Sequence, residues 1–588
     1  MDISYGFSNS SNKMIKKTFS HCWFLYSVSI LAALLGSIVD LIIISNFLDD
    51  LCVAATGVAA PLFFLYIAIA SLFYSGGLTR ISYHLGKYDS DMANRIYTRT
   101  LIWGSIAGIF LSAAGLLFPE QLSIMLGADA LLLPLAATYV RGLSCGAIPI
   151  ILISILFMYA TIAKAEKMVS LAIFLICASN IAGDLFCVYY DLGLAGIALC
   201  TAVSYWIGFL CFIRHFSSRN CPLQFARDPI PSKERHAILK LGLRSVMENI
   251  SDFLRPLVCN HLLTSTGIAA FAIQNNFTTP LFALLTGSTQ ASLLLNSLFV
   301  GERNKNSLLL AIRYALKFSL ICGLALGFLT YDYAPFFCTL YDIESEEIFA
   351  KSITAIRWFA LSYVFLFLNT TLITCYQSTK QSGTANLFSL LHELLLPIFS
   401  VLILAMHFGD DGIWMSVVIS EMIFFPVILI YAIKTLGHFP HSLEELLHLP
   451  KKLDFAIELT LEIPNAEKKI SMLTEHTQMF LMRNDISKRL SNYVALCLEE
   501  MAVNIMTEER IGKKPAVIFA RIVVDHSTVL LRLSYSGGKY DPFDVIESKD
   551  LFSNIGIRLV KNLAARTVYQ YTMDQNYILV ELSNSDNP

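Results

Sequence analysis

The stretch GSIVDLIIIS, residues 36–45, sets Asp40 in a run otherwise fit for hydrocarbon. A carboxylate is costly there, so the surrounding chain has to supply a reason for it. That chain has 588 residues, 55% hydrophobic and 15% charged, with a mean hydropathy of +0.60. It is too apolar for a soluble protein of this length. The formal net charge of -2, with basic residues spread over short loops, argues against nucleic acid as a partner. Thirteen cysteines lie in apolar segments without a CxxC pair, which speaks against a disulfide framework or a metal site. The N-terminus, MDISYGFSNSSNKMIKKTF, is polar and basic with no small-residue cleavage site, so it reads as the tail of a retained first helix.

Working outward from Asp40, apolar stretches of about 20 residues, enough to cross a bilayer, recur near 22–47, 52–78, 96–117, 133–162, 169–190, 195–215, 239–264, 268–299, 308–331, 354–376, 384–406 and 413–434. Lys13, Lys16, Lys17, then Arg80, Lys87, Arg95, Arg99, then Lys164 and Lys167 fall on alternate connections. The segment 214–240, GERNKN at 301–306, STKQSG at 378–383 and Lys434 continue that side. The opposite loops NFLDDL, PEQLSIMLGADA and YDLG carry no Lys or Arg. The charge bias predicts a multi-pass membrane protein with both termini cytoplasmic.

The spans fall into two similar sets of six. YDLGLAGIALCTAVS matches HFGDDGIWMSVVIS, with Gly193 and Gly196 on Gly409 and Gly412, and LGKYDSDMANRIYTR matches VGERNKNSLLLAIRYAL, with Gly86 on Gly301. An even number of spans per half keeps the halves in one orientation, related by an axis along the membrane normal. Transporters built this way carry substrate between their halves.

Asp40 lies about eight residues, roughly 12 Å, from the external end of the first span, and Asp184 lies at similar depth in the fifth with Asn180 one turn away. Two carboxyls and an amide can exchange a proton or hold a Na⁺. The second half offers Glu248, Asp252 and Arg255 in VMENISDFLRPL, spaced for an intrahelical ion pair, and His392 with Glu393 in the eleventh span. Gln274, Asn275, Asn276 and Glu421 read as contacts between helices. Pro61, Pro149 and Pro280 mark bend points.

GSIVDLIIISNFLDDLCVAATGVAAPL, LGKYDSDMANRIYTRT, LGADALLLPLAATYVRG and NIAGDLFCVYYDLGLAGIALCTAVS together resemble the multidrug and toxic compound extrusion (MATE) family over about residues 15–435. The resemblance implies a cation-coupled exporter of two six-helix bundles in which H⁺ or Na⁺ enters as substrate leaves. It places the family's first-bundle acidic site on Asp40, Asn180 and Asp184, and an acid some members use for Na⁺ on Asp252. The tenth-span acid of those members has no counterpart in FLFLNTTLITC, which favours coupling through Asp40 and Asp184.

From about residue 453 the composition becomes that of a soluble domain. FAIELTLEI, AVIFARIVVD with TVLLRLSYS, and VYQYTMD with YILVELS have strand alternation; AEKKISMLTEHTQMFLMRN, ISKRLSNYVALCLEEMAVNIMTEE and IGIRLVKNLAART have helical spacing. LEEMAVNI puts Glu500 and Asn504 on one helix face, SYSGGKYDPFD gives a turn with Gly537, and NIGIRLV opens a helix at Gly556. That order resembles the GHKL ATPases, closest to the anti-sigma-factor serine kinases. The resemblance implies a nucleotide and Mg²⁺ site at Glu500, Asn504, Gly537 and Gly556. Two boxes depart from the pattern: Tyr535-Ser536-Gly537 lacks the Asp for the adenine amine, and Asn554-Ile555-Gly556 replaces Gly-x-Gly. The departures disfavour kinase or ATPase activity and leave weak ATP/Mg²⁺ binding or recognition of a cytoplasmic protein.

The expected fold is thus an all-α membrane protein of twelve transmembrane helices in two six-helix bundles, plus a cytoplasmic α+β sandwich. Its parts are an N-terminal tail 1–20, first bundle 21–216, loop 217–237, second bundle 238–435, linker 436–452 and domain 453–588. The expected function is H⁺- or Na⁺-coupled export of small amphipathic or cationic compounds by a monomer. It requires no cofactor for transport, and the C-terminal domain is regulatory or docking. The competing reading is a membrane-tethered partner-switching or serine-kinase-like regulator whose bundle is a sensor. Export of a lipid-linked saccharide would want more basic residues in the cavity than this chain offers.

Overall fold

A computed structural model describes residues 9–48, 50–163, 165–216, 221–339, 345–450, 457–464, 467–508, 517–525, 528–544, 555–573 and 575–583. Lys164 and Asn554 lie outside the described residues. The first half comprises α1 (Asn9–Phe47), α2 (Asp50–Gly86), α3 (Ser90–Leu117), α4 (Pro119–Met125), α5 (Leu133–Ser144), α6 (Ala147–Tyr159), α7 (Glu166–Tyr189) and α8 (Gly193–Phe216). The second comprises α9 (Ser232–Leu262), α10 (Ser265–Gly301), α11 (Lys305–Asp332), α12 (Ala334–Thr339), α13 (Glu346–Ser378), α14 (Ser382–Ser389), a π-helical turn Leu390–Leu395, α15 (Leu396–Phe408) and α16 (Asp410–Leu436).

Helices cover all twelve expected stretches, but the membrane criterion is met by fewer. Among the described residues nine helices are long and apolar enough to cross a membrane, ten if the bent pair α5 and α6 counts as one span. Of the remaining two, α9 is long enough at 31 residues but carries Arg244, Glu248, Asp252 and Arg255 along its middle. The stretch 133–162, expected as one span, is broken at Cys145–Gly146 with a 51° bend, and Pro149 sits in the first turn beyond the break. Pro61 and Pro280 stay inside continuous helices, as do Pro256 and Pro426.

The repeat is visible in the backbone. Tyr88 and Arg303, two residues after Gly86 and Gly301, both take positive φ (58° and 51°). The next residues, Asp89 and Asn304, both cap the following helix, accepting from Met92 N and Ser307 N. Gly193 and Gly409 likewise share positive φ (61° and 58°), which glycine adopts without strain.

We call the end of the bundles that carries α1's start and the C-terminal domain the tail side. There α2 is wedged against α9 and α10 at backbone contact. A Cβ on Gly76 would fall 2.0 Å from Ile238 O, on Gly242 1.9 Å from Leu72 O, on Gly86 2.0 Å from Leu298 O and on Gly301 2.1 Å from Tyr83 O. Hydrogen bonds between the halves gather toward this side: Ser20 with Tyr314 (3.1 Å), Trp23 to Leu284 O (3.1 Å), Asn249 to Ser71 (3.2 Å), Gln377 to Ser75 (3.1 Å) and Lys380 to Tyr83 (2.9 Å). Arg80 adds a bidentate pair to Glu234 at 2.7 and 2.6 Å.

The short α17 (Leu443–Leu446) leads to the tail domain: β1 (Ile457–Pro464), α18 (Glu467–Arg483), α19 (Lys488–Thr507), β2 (Val517–Asp525), β3 (Thr528–Ser536), α20 (Ile555–Leu563), β4 (Arg566–Thr572) and β5 (Gln575–Ser583). The strands form one antiparallel sheet in the order β1-β2-β3-β5-β4, and both expected hairpins are present. Strand alternation sorts the side chains by face. Leu461, Ile518, Ile522, Leu531, Ile578 and Val580 point to the helices and make the domain's core. The opposite face carries Arg521, Arg532, Gln570 and Thr572, all of which meet the membrane helices' tail-side turns.

Candidate functional site

Asp40 on α1 and Asp184 on α7 meet. Asn180, one turn before Asp184, sets its amide between them: Nδ2 donates to Asp40 Oδ1 and, at 3.3 Å, to Asp184 Oδ2. The two carboxyls thus share one amide donor, and a hydrogen bond directly between them would need a proton on one of them, since an ionised pair has no donor. On α8, Thr201 donates to Asp40 Oδ2 at 3.4 Å and Ser204 to Asn180 Oδ1 at 3.3 Å. Asp184 is fully buried, and its Oδ1 has no hydrogen-bond partner. A buried carboxyl oxygen left unpaired is expensive unless it is protonated or meets a cation. The site therefore fits a monovalent cation, H⁺ or Na⁺. Among the described residues no group of three or more His, Cys, Asp or Glu is arranged to hold a metal ion.

The second-half residues divide. His392 is sandwiched, with Nδ1 2.9 Å from Glu393 Oε1 and Nε2 2.9 Å from Glu421 Oε2. Asn369 on α13 donates to Glu421 Oε2 at 2.8 Å. Neighbours in an α-helix diverge by 100°, so the pairing of His392 with Glu393 depends on the widened π turn just before Pro397, whose missing N–H loosens the preceding turn. Glu421, expected as a helix–helix contact, is thus a member of a buried charged network.

Glu248 and Asp252 stay on the same face of α9, Glu248 half-buried and Asp252 exposed. The expected pair between Asp252 and Arg255 is absent among the described residues; Arg255 lies over the Phe359 ring, 5.9 Å from its centroid. The guanidinium gains the attraction of the aromatic face instead. The buried cation on α9 is instead Arg244, 4% exposed, which donates to Thr374 Oγ1 and Gln377 Oε1, both at 2.9 Å. Gln274 is buried in α10.

In the tail, Glu500, Asn504, Gly537 and Gly556 gather at one end of the domain. Asn504 Oδ1 accepts from Tyr540 OH at 2.9 Å, and Gly537 O accepts from Tyr571 OH at 3.3 Å. Glu500 lies so close to α20 that a Cβ on Gly556 would fall 1.8 Å from its Oε2. Burial of Asp541, in the same turn as Tyr540, raises its carboxyl pKa.

Thr201, Ser204, Asn369 and Arg244 were not among the sequence candidates. Hydroxyls are common in apolar helices and gave no signal, but Arg244 sits one turn from Glu248 and shares the rarity of any intramembrane charge.

Comparison with known proteins agrees with this architecture. The MatE family model matches residues 26–188 and 241–401, one block in each half. The multidrug export protein MepA of Staphylococcus aureus (strain MSSA476) is 23% identical over 407 residues, 67% of this chain and 88% of that protein. MepA of Staphylococcus saprophyticus is 26% identical over 247 residues, 42% and 54% of the two chains. Among solved structures, the outward-facing conformation of a multidrug resistance MATE family transporter of the MOP superfamily superposes with a TM-score of 0.65 at 22% identity, covering 72% of this chain and 96% of that one. A MOP superfamily transporter from Pyrococcus furiosus described as having a reversed polarity of its binding pocket gives 0.64 at 21% identity, covering 74% and 99%. With both halves matched by the family model, the chain belongs to the MatE family: it is a membrane transporter, secondary in type and not an enzyme.

Proposed function

We propose that this transporter is a cation-coupled antiporter exporting small amphipathic or cationic organic compounds, with a proton at the Asp40–Asp184 pair as coupling ion. The Asn180 amide carries the reading: its Nδ2, a donor, faces both carboxyls, while its Oδ1 turns to Ser204. That orientation suits two carboxyls sharing a proton. A Na⁺ would want the amide oxygen toward it and Asn180 rotated. Proton arrival lowers the charge of the pair from two to one, and proton loss leaves two buried negative charges that attract a cation from the cleft. Glu248, Asp252 and Glu393, with Arg255 among them, give the second half an acidic wall on which a cationic compound can rest.

The chain works as a monomer in the cytoplasmic membrane with both termini in the cytoplasm, divided as the composition suggests, with 453–588 a GHKL-like regulatory domain. Glu500 packed on Gly556 and Asn504 held by Tyr540 favour recognition of a protein over turnover of ATP with Mg²⁺.

The test is uptake of a fluorescent organic cation into inverted vesicles, driven by a pH gradient or a Na⁺ gradient, with wild type and Asp184→Asn. The proposal expects pH-driven uptake that the substitution abolishes. Uptake driven by Na⁺ alone would replace the ion, and an unchanged rate in Asp184→Asn would remove the site.

A further inference from the structure

The tail domain's open sheet face holds one turn from each half, and they are the two turns the internal repeat relates. On the second-half turn, Arg521 of β2 donates to Glu302 O at 3.2 Å and Arg303 O at 2.8 Å, while Glu458 of β1 holds the same guanidinium at 2.6 Å. Arg532 of β3 donates to Glu302 O as well and stacks over Tyr88, 5.7 Å from the ring centroid. On the first half, Arg566 of β4 donates to Tyr88 O at 3.1 Å, Gln570 to Ser90 Oγ at 2.8 Å and Thr572 to Ile162 O at 3.4 Å. The contacting side chains are buried: Arg521, Gln570 and Glu302 are 8%, 8% and 9% exposed, and Met573 joins the apolar core of the membrane helices. Burial pushes the Glu302 carboxyl pKa up, against the pull of Arg532 and Arg521.

These turns lie where α2 meets α10 at Gly86 and Gly301, so opening the transporter on the tail side has to part them. A hydrogen-bonded sheet cannot stretch to follow both. The linker decides which side lets go: Tyr376 OH donates to Leu446 O at 2.5 Å, Gln381 to Leu447 O at 2.6 Å, and Lys305 pairs with Glu444 at 2.7 Å, all on the second half. The β4 edge is the contact without such a tether.

We infer that the tail domain is an autoinhibitory latch, bound to the second half and closing over the first-half turn at Tyr88–Ser90 through β4, which must release before the tail side opens. This rests on the proposal that the halves alternate, and it gives the regulatory role of the domain a mechanism. The β4 contacts that must part, one guanidinium on a backbone carbonyl, one amide on a hydroxyl and one hydroxyl on a carbonyl, are the reversible kind of contact a latch requires.

The experiment uses the full chain in nanodiscs with spin labels at the exposed positions Lys87 and Asn306, introduced as unnatural amino acids because thirteen native cysteines are present. Arg566→Ala/Gln570→Ala should raise the separated population of the two labels at least about tenfold over wild type, because it removes one charge-assisted and one neutral hydrogen bond. Resistance of the tail to protease checks that it stays folded. As a second measurement, a photocrosslinker at Gln570 that captures the first-half turn should leave the crosslinked protein unable to transport. An unchanged label distance with a folded tail, or normal transport by the crosslinked protein, overturns the latch. A latch that shifts the distance in a protein without ion-driven flux would instead sink the antiport reading alone.

Discussion

Gly86→Ala is the substitution whose effect can be worked most directly. The added Cβ would stand 2.0 Å from Leu298 O and 2.9 Å from Glu302 N, both backbone atoms that no rotamer change can move. A carbon needs about 3.3 Å from a carbonyl oxygen, so α2 and α10 must part by more than 1 Å at this crossing. Overpacking of this kind costs about 1–3 kcal/mol, and the cost falls only on the state in which the tail side is closed. Since about 1.4 kcal/mol is tenfold in an equilibrium, the population open on the tail side should rise about 5- to 150-fold. Gly301→Ala should match it, because its Cβ would stand 2.1 Å from Tyr83 O across the same crossing, and the two should not add. Gly57→Ala on the same helix is the control, with nothing within 4 Å of the new carbon. The assay is the Lys87–Asn306 label distance together with alkylation of a reporter facing the cleft. If Gly86→Ala and Gly57→Ala give the same distribution, the tail-side crossing is not what holds this state closed.

Three further outcomes are expected. Burial pushes the Glu234 carboxyl up, but hydrogen bonds and charge from His84 and Arg80 outweigh it and hold its pKa at about 2, below the ordinary 4.5. Its contribution is therefore complete above pH 4.5 and lost as pH falls toward 2. Glu234→Gln should lower stability at neutral pH by about 2–3 kcal/mol and flatten the acid limb of a melting-temperature profile in that window. His392→Leu should destabilise by about 3–5 kcal/mol by stranding Glu393 and Glu421, and adding Glu393→Gln and Glu421→Gln should recover much of it in thermal unfolding. Thr201→Val removes one donor from Asp40. It should slow pH-driven uptake less than Asn180→Leu, which removes the amide shared by both carboxyls, in the same vesicle assay.

Much of this was legible in the sequence, for physical reasons that differ by residue. Asp40 and Asp184 announced themselves because a carboxylate in hydrocarbon is conspicuous and their depths matched, and the structure brings both onto the Asn180 amide. The tail's strands declared themselves by alternation, and all five are present. The pairing of His392 with Glu421 was hidden, because it spans 29 positions and depends on a π turn that apolar periodicity does not reveal. The break at Cys145–Gly146 was masked by continuous hydrophobicity on either side. Arg521 and Arg532 sit on alternating strands. Alternation assigns them a face but does not say that the membrane helices cover it.

The most direct measurement of the central claim is proton release on substrate binding, followed by a pH dye in weakly buffered detergent solution. If Asp40 and Asp184 exchange their shared proton for a cationic compound, wild type should release about one proton per bound cation, and Asp40→Asn and Asp184→Asn should release none while staying folded. Equal release from wild type and both variants would contradict the account, because the proton would then come from elsewhere in the molecule.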